Sequence, residues 1–197
     1  MKNNVVIIGA GEIGLAIEKV LSRKDVSISL WDQDPARVSN QKSLDEIVPT
    51  ANFVFLGVPS WATRVAILAI KPFLKKETII ISLAKGIEEN TLKTMDELLF
   101  EVLPEGQPFA ILSGPMIAEE IMKDMWAGAV LGTAKSETYR EVEELFFETK
   151  LALQHTRDLH GLAISGVLKN IYAIALGIAD GLNLGGNEKG WLTTAAF

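Results

Sequence analysis

The residues of this chain with the types and spacing to do chemistry fall into three groups, each built around glycine. The first is GAGEIG at 9–14, which fits G-x-G-x-x-G and follows the apolar run VVIIG. Gly9 allows a tight turn, Gly11 lets the backbone approach a pyrophosphate, and Gly14 lets a helix pack close to a strand. Glu12 and Ile13 lie inside that turn, where the N–H groups and partial positive charge of a helix N-terminus would meet the phosphates. Asp32 follows the next apolar run, eighteen residues beyond Gly14. A carboxylate there accepts hydrogen bonds from ribose hydroxyls and repels a 2′-phosphate, so NAD is expected in preference to NADP. Arg37, close in sequence, tempers that preference.

The second group sits where further apolar runs end. Gly57, Val58 and Pro59 close FVFLGV, Lys85 and Gly86 follow TIIISLA, and Gly114 and Pro115 follow FAILS. Such strand ends form the carboxyl edge at which open α/β sheets bind ligands. Ser60 or Trp61 would face a cofactor there or simply cap and pack a helix; the residues leave both open. Pro115 suits the first turn of a helix through PMIAEEIMKD, with N–H groups aimed at the same crevice.

The third group is a single cation. Lys169 stands near the middle of GLAISGVLKNIYAIALGIADGLNLGG, 161–186, a stretch otherwise almost wholly apolar or small. An unpaired buried ammonium costs several kcal/mol, so this one needs a partner, a purpose or a route to water along its stem. At 100° per residue Ser165, Lys169, Ala173, Leu176 and Asp180 share one face, with Asp180 three turns from the lysine. Asn170 is its neighbour in sequence.

Positioning these groups takes alternating strands and helices. Strand runs are 5–9, 26–31, 53–58, 78–83, 109–114, 127–133 and 151–156; helix patterns are 12–24, 61–74, 91–103, 115–124 and 136–148. Most strands are apolar on both faces, which predicts a Rossmann-type doubly wound α/β sheet over 1–156. Periodicity leaves the pairing of the later strands open. From 157 to 197 the pattern is all helical: one long helix from Asp158, a break at NLGGN, and a second run EKGWLTTAAF. An apolar helix with so little of its own kind to pack on is expected to bury itself against a second copy of the chain or a continuation of it.

Composition narrows the function classes. The 197 residues carry 48% hydrophobic and 22% charged residues and a net charge of -6. No run of like charge marks a nucleic-acid surface. With no cysteine, disulfides, thiolate zinc sites and a cysteine nucleophile are excluded, and no metal site is expected. Glycines interrupt the N-terminal apolar run, which argues against a signal peptide. The stretch 161–186 is long enough to span a bilayer, but Lys169 near its centre costs about 2.5–3.5 kcal/mol there, so a helix of a soluble protein is the expected reading.

The blocks GAGEIG, VPS, SLAKGIE, LSGPMIAEE and GVLKNIYAIALGIADGLNLGGNEK occur in order along the chain and resemble NAD(P)-dependent glycerol-3-phosphate dehydrogenase. That resemblance implies a Rossmann domain followed by a helical substrate and dimerisation segment, and interconversion of dihydroxyacetone phosphate and sn-glycerol 3-phosphate in the cytoplasm by a homodimer. It makes Lys169 the acid/base and Lys85 its catalytic companion, in contact with cofactor and substrate. Gly9, Gly11, Glu12, Ile13, Gly14, Asp32, Pro59 and Ala118 would join Lys85 around the cofactor, and Gly114, Met116 and Asn170 would join the two lysines around the substrate. Lysines brought together in an apolar setting repel one another, which favours proton exchange nearer neutral pH.

The chain departs from that family at Glu12 and Ile13, where Ser-Trp or Asn-Trp is usual, at Met116 in place of a small polar residue, and at Gly186 in place of aspartate. A Gly-Arg-Asn motif that binds the substrate phosphate has no counterpart in these 197 residues. Two other readings stay open beside the enzyme: a non-catalytic NAD-binding module, and a dehydrogenase of an unphosphorylated hydroxy substrate.

Overall fold

The computed structural model describes residues 2–195, in which seven strands make one sheet. In chain order the elements are β1 (Asn3–Ile8), α1 (Glu12–Leu21), β2 (Val26–Trp31), α2 (Leu44–Ile47), β3 (Phe53–Leu56), α3 (Ser60–Ile70), β4 (Ile79–Ser82), α4 (Met95–Val102), β5 (Phe109–Ser113), α5 (Ala118–Met122), β6 (Ala127–Gly132), α6 (Ser136–Phe146), β7 (Leu151–Thr156), α7 (Leu159–Gly181) and α8 (Gly186–Ala195). The strand order is β2-β1-β3-β4-β5-β6-β7. Strands β2 to β5 are parallel, with Ile8 opposite both Trp31 and Leu56. The orientation that periodicity left open is mixed: β6 runs antiparallel to β5, and β7 parallel to β6. Because the chain steps out from β1 to β2 and then back across β1 to β3, the carboxyl ends of β1 and β3 flank a topological switch point.

Alternation along the strands divides the core between two faces. Val5 and Ile7 of β1 join Ile17 and Leu21 of α1 and Val142 and Phe146 of α6. Val6 and Ile8 point the other way, onto Ile67 and Ile70 of α3 and Leu98 and Leu99 of α4. Burying one such side chain contributes about 1.5–3 kcal/mol, and a one-residue register slip would exchange the two sets between faces packed by different helices, so it is disfavoured by packing.

Local chemistry trims several expected boundaries. The predicted strands lose their terminal glycines, because Gly9 and Gly114 adopt φ of 104° and 141° and leave the ladder. The helix expected from Pro115 begins instead at Ala118, after a turn in which the Met116 N–H donates to the Gly114 carbonyl at 2.9 Å. The helix expected from Thr91 begins at Met95, because Leu92 has φ of 57° and Thr94 with Glu97 forms a capping box. The short helix α2 was not anticipated. The last run begins at Gly186; Ala196 and Phe197 lie outside the described residues.

Helix α7 starts where the Asp158 carboxylate accepts the Gly161 N–H at 2.8 Å. Its first turns pack on β5 and α4, with His160 Nδ1 at 3.2 Å from an Asp96 carboxylate oxygen. Farther along, Ile171, Ile174 and Ile178 face outward and 59% of Ile178 is exposed. Lys169 is not buried as its apolar setting suggests: it and Asn170 are exposed. Among the described residues α7 is the one helix long and apolar enough to cross a membrane, by length and composition. The same composition suits a helix covered by another protein surface.

Candidate active site

The glycine turn between β1 and α1 is shaped by contacts that leave no room for side chains. A Cβ on Gly9 would stand 2.8 Å from the Gly57 carbonyl, and one on Gly14 would stand 1.9 Å from the carbonyl of Gly9. The turn is therefore wedged between β3 and the first turn of α1. Gly11 differs: a Cβ there would meet nothing within 4 Å. It is the N-cap of α1 and supplies no side-chain cap, so the first N–H groups of the helix stay available. This is a backbone cradle open on the side where a pyrophosphate would lie. A cleft of about 890 Å³ extends from it past Asp32, Pro59 and the indoles of Trp31 and Trp61. Its size, its place at the switch point and its free helix N-terminus fit a dinucleotide.

Asp32 is tied to that cradle. One carboxylate oxygen accepts the Ala10 N–H at 2.7 Å and the other accepts the Asp34 N–H at 2.9 Å. Gln41 holds the Asp32 backbone through 2.9 and 3.1 Å bonds. The carboxylate thus braces the turn as well as facing the cleft. Arg37 lines the same cleft and lies 3.8 Å from Asp34, an exposed pair.

A second cluster forms where β4, β5 and α7 meet. Lys85 leaves the end of β4 and its ammonium donates to the Gly114 carbonyl at 3.3 Å. Helix α7 passes close at Gly166: a Cβ there would make ordinary contacts, 3.5 Å from Ser113 Oγ and 3.8 Å from Lys85 Cγ. One turn on from that glycine, Lys169 reaches Lys85. Burial, then the charge of Lys169 and a direct contact with it, hold Lys85 below the ordinary lysine range. From Lys169 a groove of about 670 Å³ runs along α7 past Tyr172 to Leu192 of α8, lined mostly by apolar atoms.

The expected residues divide between these places. Gly9, Gly11, Asp32 and Pro59 line the first cleft. Glu12 is exposed at the first position of α1, while Ile13 packs on the core. Lys85, Gly114 and Lys169 come together, and Asn170 is exposed beside them on α7. Met116 departs from its expected place at a substrate surface: its side chain is 6% exposed and packs in the core. Ala118 opens α5 and packs on that same core. Sequence reasoning missed Gly166 and Ser113. A glycine inside an apolar helix is a signal for close approach, but its partner is set by the crossing of α7 over β5.

Comparison with known proteins agrees with this arrangement. Residues 33–139 match the family model for the N-terminus of NAD-dependent glycerol-3-phosphate dehydrogenase, and residues 158–197 match the model for its C-terminus. The chain is 34% identical over 212 residues to glycerol-3-phosphate dehydrogenase [NAD(P)+] of Clostridium tetani, covering 96% of this chain and 60% of that protein. It is 37% identical to the Carboxydothermus hydrogenoformans protein of the same name, covering 96% of this chain and 63% of the relative. The chain thus spans somewhat under two thirds of the length of these relatives. The solved glycerol-3-phosphate dehydrogenase of Coxiella burnetii superposes with a TM-score of 0.85 at 27% identity, over 99% of this chain and 66% of that one.

Proposed function

This chain belongs to the NAD-dependent glycerol-3-phosphate dehydrogenase family of oxidoreductases, and we propose that it interconverts dihydroxyacetone phosphate and sn-glycerol 3-phosphate with NAD, and less readily with NADP. The observation that carries the reading is the meeting of Lys85 and Lys169 beside Gly114, at the same sheet edge as the glycine cradle. A bound nicotinamide would supply or accept the hydride. The chain's own task is to manage charge and proton at the carbonyl oxygen. In reduction Lys169 gives that oxygen a proton, and in oxidation it takes one back. Lys85, which loses its proton more easily than an ordinary lysine, stands at hydrogen-bonding distance from Gly114 and holds the oxygen in reach of both ammonium groups. The N–H groups at the start of α1 would hold the cofactor phosphates, and Asp32 would meet the adenosine ribose.

The test is oxidation of NADH with dihydroxyacetone phosphate, run beside a panel of unphosphorylated ketones and keto acids. Turnover confined to the phosphorylated ketone, and lost in Lys169→Ala, is the expected result. Binding of NADH without turnover of any substrate would favour the NAD-binding module, and turnover of an unphosphorylated ketone alone would favour the third reading.

Further parts of the proposal concern assembly and setting. We place the boundary between a cofactor domain, 1–156, and a helical segment, 157–197, at the turn before α7. The segment forms a homodimer interface in this proposal, supported by the outward-facing Ile171, Ile174, Leu182 and Trp191. A stable monomer by gel filtration and light scattering would overturn it. A cytoplasmic location, where a soluble cofactor meets a soluble triose phosphate, and a role in supplying glycerol 3-phosphate for glycerophospholipids complete the reading. The net charge of -6 argues against a nucleic-acid partner, and Lys169 in the middle of α7 argues against a membrane one.

A further inference from the structure

Lys85 stands at the start of a long connection between β4 and α4, and free loops of that kind do not hold a lysine in place. This one is closed on itself. Ile87 pairs with Thr94 in an antiparallel bridge, the Glu88 N–H donates to the Lys93 carbonyl at 2.8 Å, and the Leu92 N–H donates to the Glu88 carbonyl at 2.9 Å. The closed loop is then fixed to the helix opposite. Both oxygens of the Glu88 carboxylate accept from Arg64 of α3, Nε at 2.6 Å and the second guanidinium nitrogen at 2.8 Å, and Thr91 Oγ1 adds a donor. Arg64 reaches on to Glu101 of α4 at 2.8 Å, and Lys93 closes the circuit on Glu101. Only 9% of the Glu88 side chain and 27% of the Arg64 side chain are exposed. A bidentate guanidinium–carboxylate pair sheltered to that extent fixes orientation as well as distance. Between clamp and lysine lies Gly86, at φ of 131°, packed against the start of α3: a Cβ there would stand 2.8 Å from Ser60 Oγ and 3.2 Å from Ser60 Cβ.

We propose that Arg64 and Glu88 are positioning residues for Lys85: their ion pair clamps the closed loop 87–94 to α3 and so holds the Lys85 ammonium at Gly114 and against Lys169. The proposal rests on the reading of Lys85 as part of the site, but its consequence is visible without turnover. Lys85 titrates below the ordinary lysine value of 10.5 because it is held half-buried next to a like charge. Loosening the clamp lets it swing into water and away from Lys169, and its titration midpoint rises toward 10.5. Direct electrostatics predicts the opposite sign for Glu88→Gln, since removal of a negative charge lowers a neighbouring lysine. The sign therefore separates positioning from charge.

The measurement is the pH titration of the Lys85 side chain by NMR in the full chain labelled with 13C-lysine, its resonance assigned with Lys85→Arg. Glu88→Gln is expected to raise the midpoint. Arg64→Lys, which keeps the charge and loses the bidentate fork, is expected to raise it less, and its retained charge guards against loss of folding. A midpoint that stays put or falls in whichever of these variants remains folded overturns the proposal. If the parent oxidises NADH, both variants should lose kcat in proportion to the shift; a change in KM with kcat retained would also count against it. A parent without turnover fails the dehydrogenase reading and leaves the titration as the deciding result.

Discussion

Gly14 and Gly11 have the same side chain in the same turn, and replacing each by alanine separates packing from ligand binding. At Gly14 the new Cβ would stand 1.9 Å from the Gly9 carbonyl oxygen, about 1.5 Å short of the 3.4 Å at which ordinary contact begins. That oxygen belongs to a backbone wedged against Gly57, so the whole turn must shift. Overpacking of a close-packed site costs about 3 kcal/mol at the upper end of the usual range. Alanine in place of glycine in a helix offsets about 1 kcal/mol of it. The net loss of about 2 kcal/mol lowers the melting temperature by roughly 4–8 °C for a chain of this size. Gly11→Ala meets nothing within 4 Å and should melt within about 1 °C of the parent. It should nevertheless weaken NADH at least tenfold, about 1.4 kcal/mol, because its methyl enters the space left for the pyrophosphate. Circular dichroism melts give the first quantity. Quenching of Trp31 and Trp61, which flank the cleft, gives the second. A Gly14→Ala protein with parental melting and NADH affinity, or a Gly11→Ala protein as unstable as Gly14→Ala, would refute the reasoning.

Three further outcomes are expected. Asp32→Ala strands the buried Ala10 N–H and leaves the exposed Asp34 N–H to water; at about 1.5–3 kcal/mol for a bond to a charged group it should lower melting by several degrees and weaken NADH, and unchanged NADH binding would remove Asp32 from the site. Glu88 is held well down, to about 2 against an ordinary 4.5, by its bonds from Arg64 and Thr91. Because the folded value is the lower one, its stabilisation is complete above 4.5 and disappears as pH falls toward 2; melts of parent and Glu88→Gln should converge across that window, and a constant gap would contradict it. Lys169→Met removes the like charge beside Lys85, so the Lys85 midpoint should rise, and a midpoint that falls would mean the two ammonium groups are not neighbours.

Much of the cofactor half is legible in the residues because its parts are local. A strand, a glycine turn and a helix N-terminus follow one another within 3–21, and short-range sterics decide each of them. The lysine half is legible only as a list of strand ends and one cation in a helix. Lys85 and Lys169 are far apart in the chain, and only the crossing of α7 over β5 at Gly166 brings them together. The Arg64–Glu88 clamp leaves no sequence mark, since a charged residue on a helix and another in a loop read as solvated surface.

The sequence by itself determined the doubly wound α/β class, the strand positions to within two residues and the cradle at Gly9, Gly11 and Gly14. These depend on hydrophobic period and backbone freedom, which are properties of neighbours along the chain. Only the tertiary structure decided that β6 reverses direction, that Met116 faces the core, that Lys169 emerges into solvent, and that Lys85 is the lysine held below its ordinary range. Those outcomes depend on which distant surfaces meet, because burial and like-charge repulsion act through space and not along the chain.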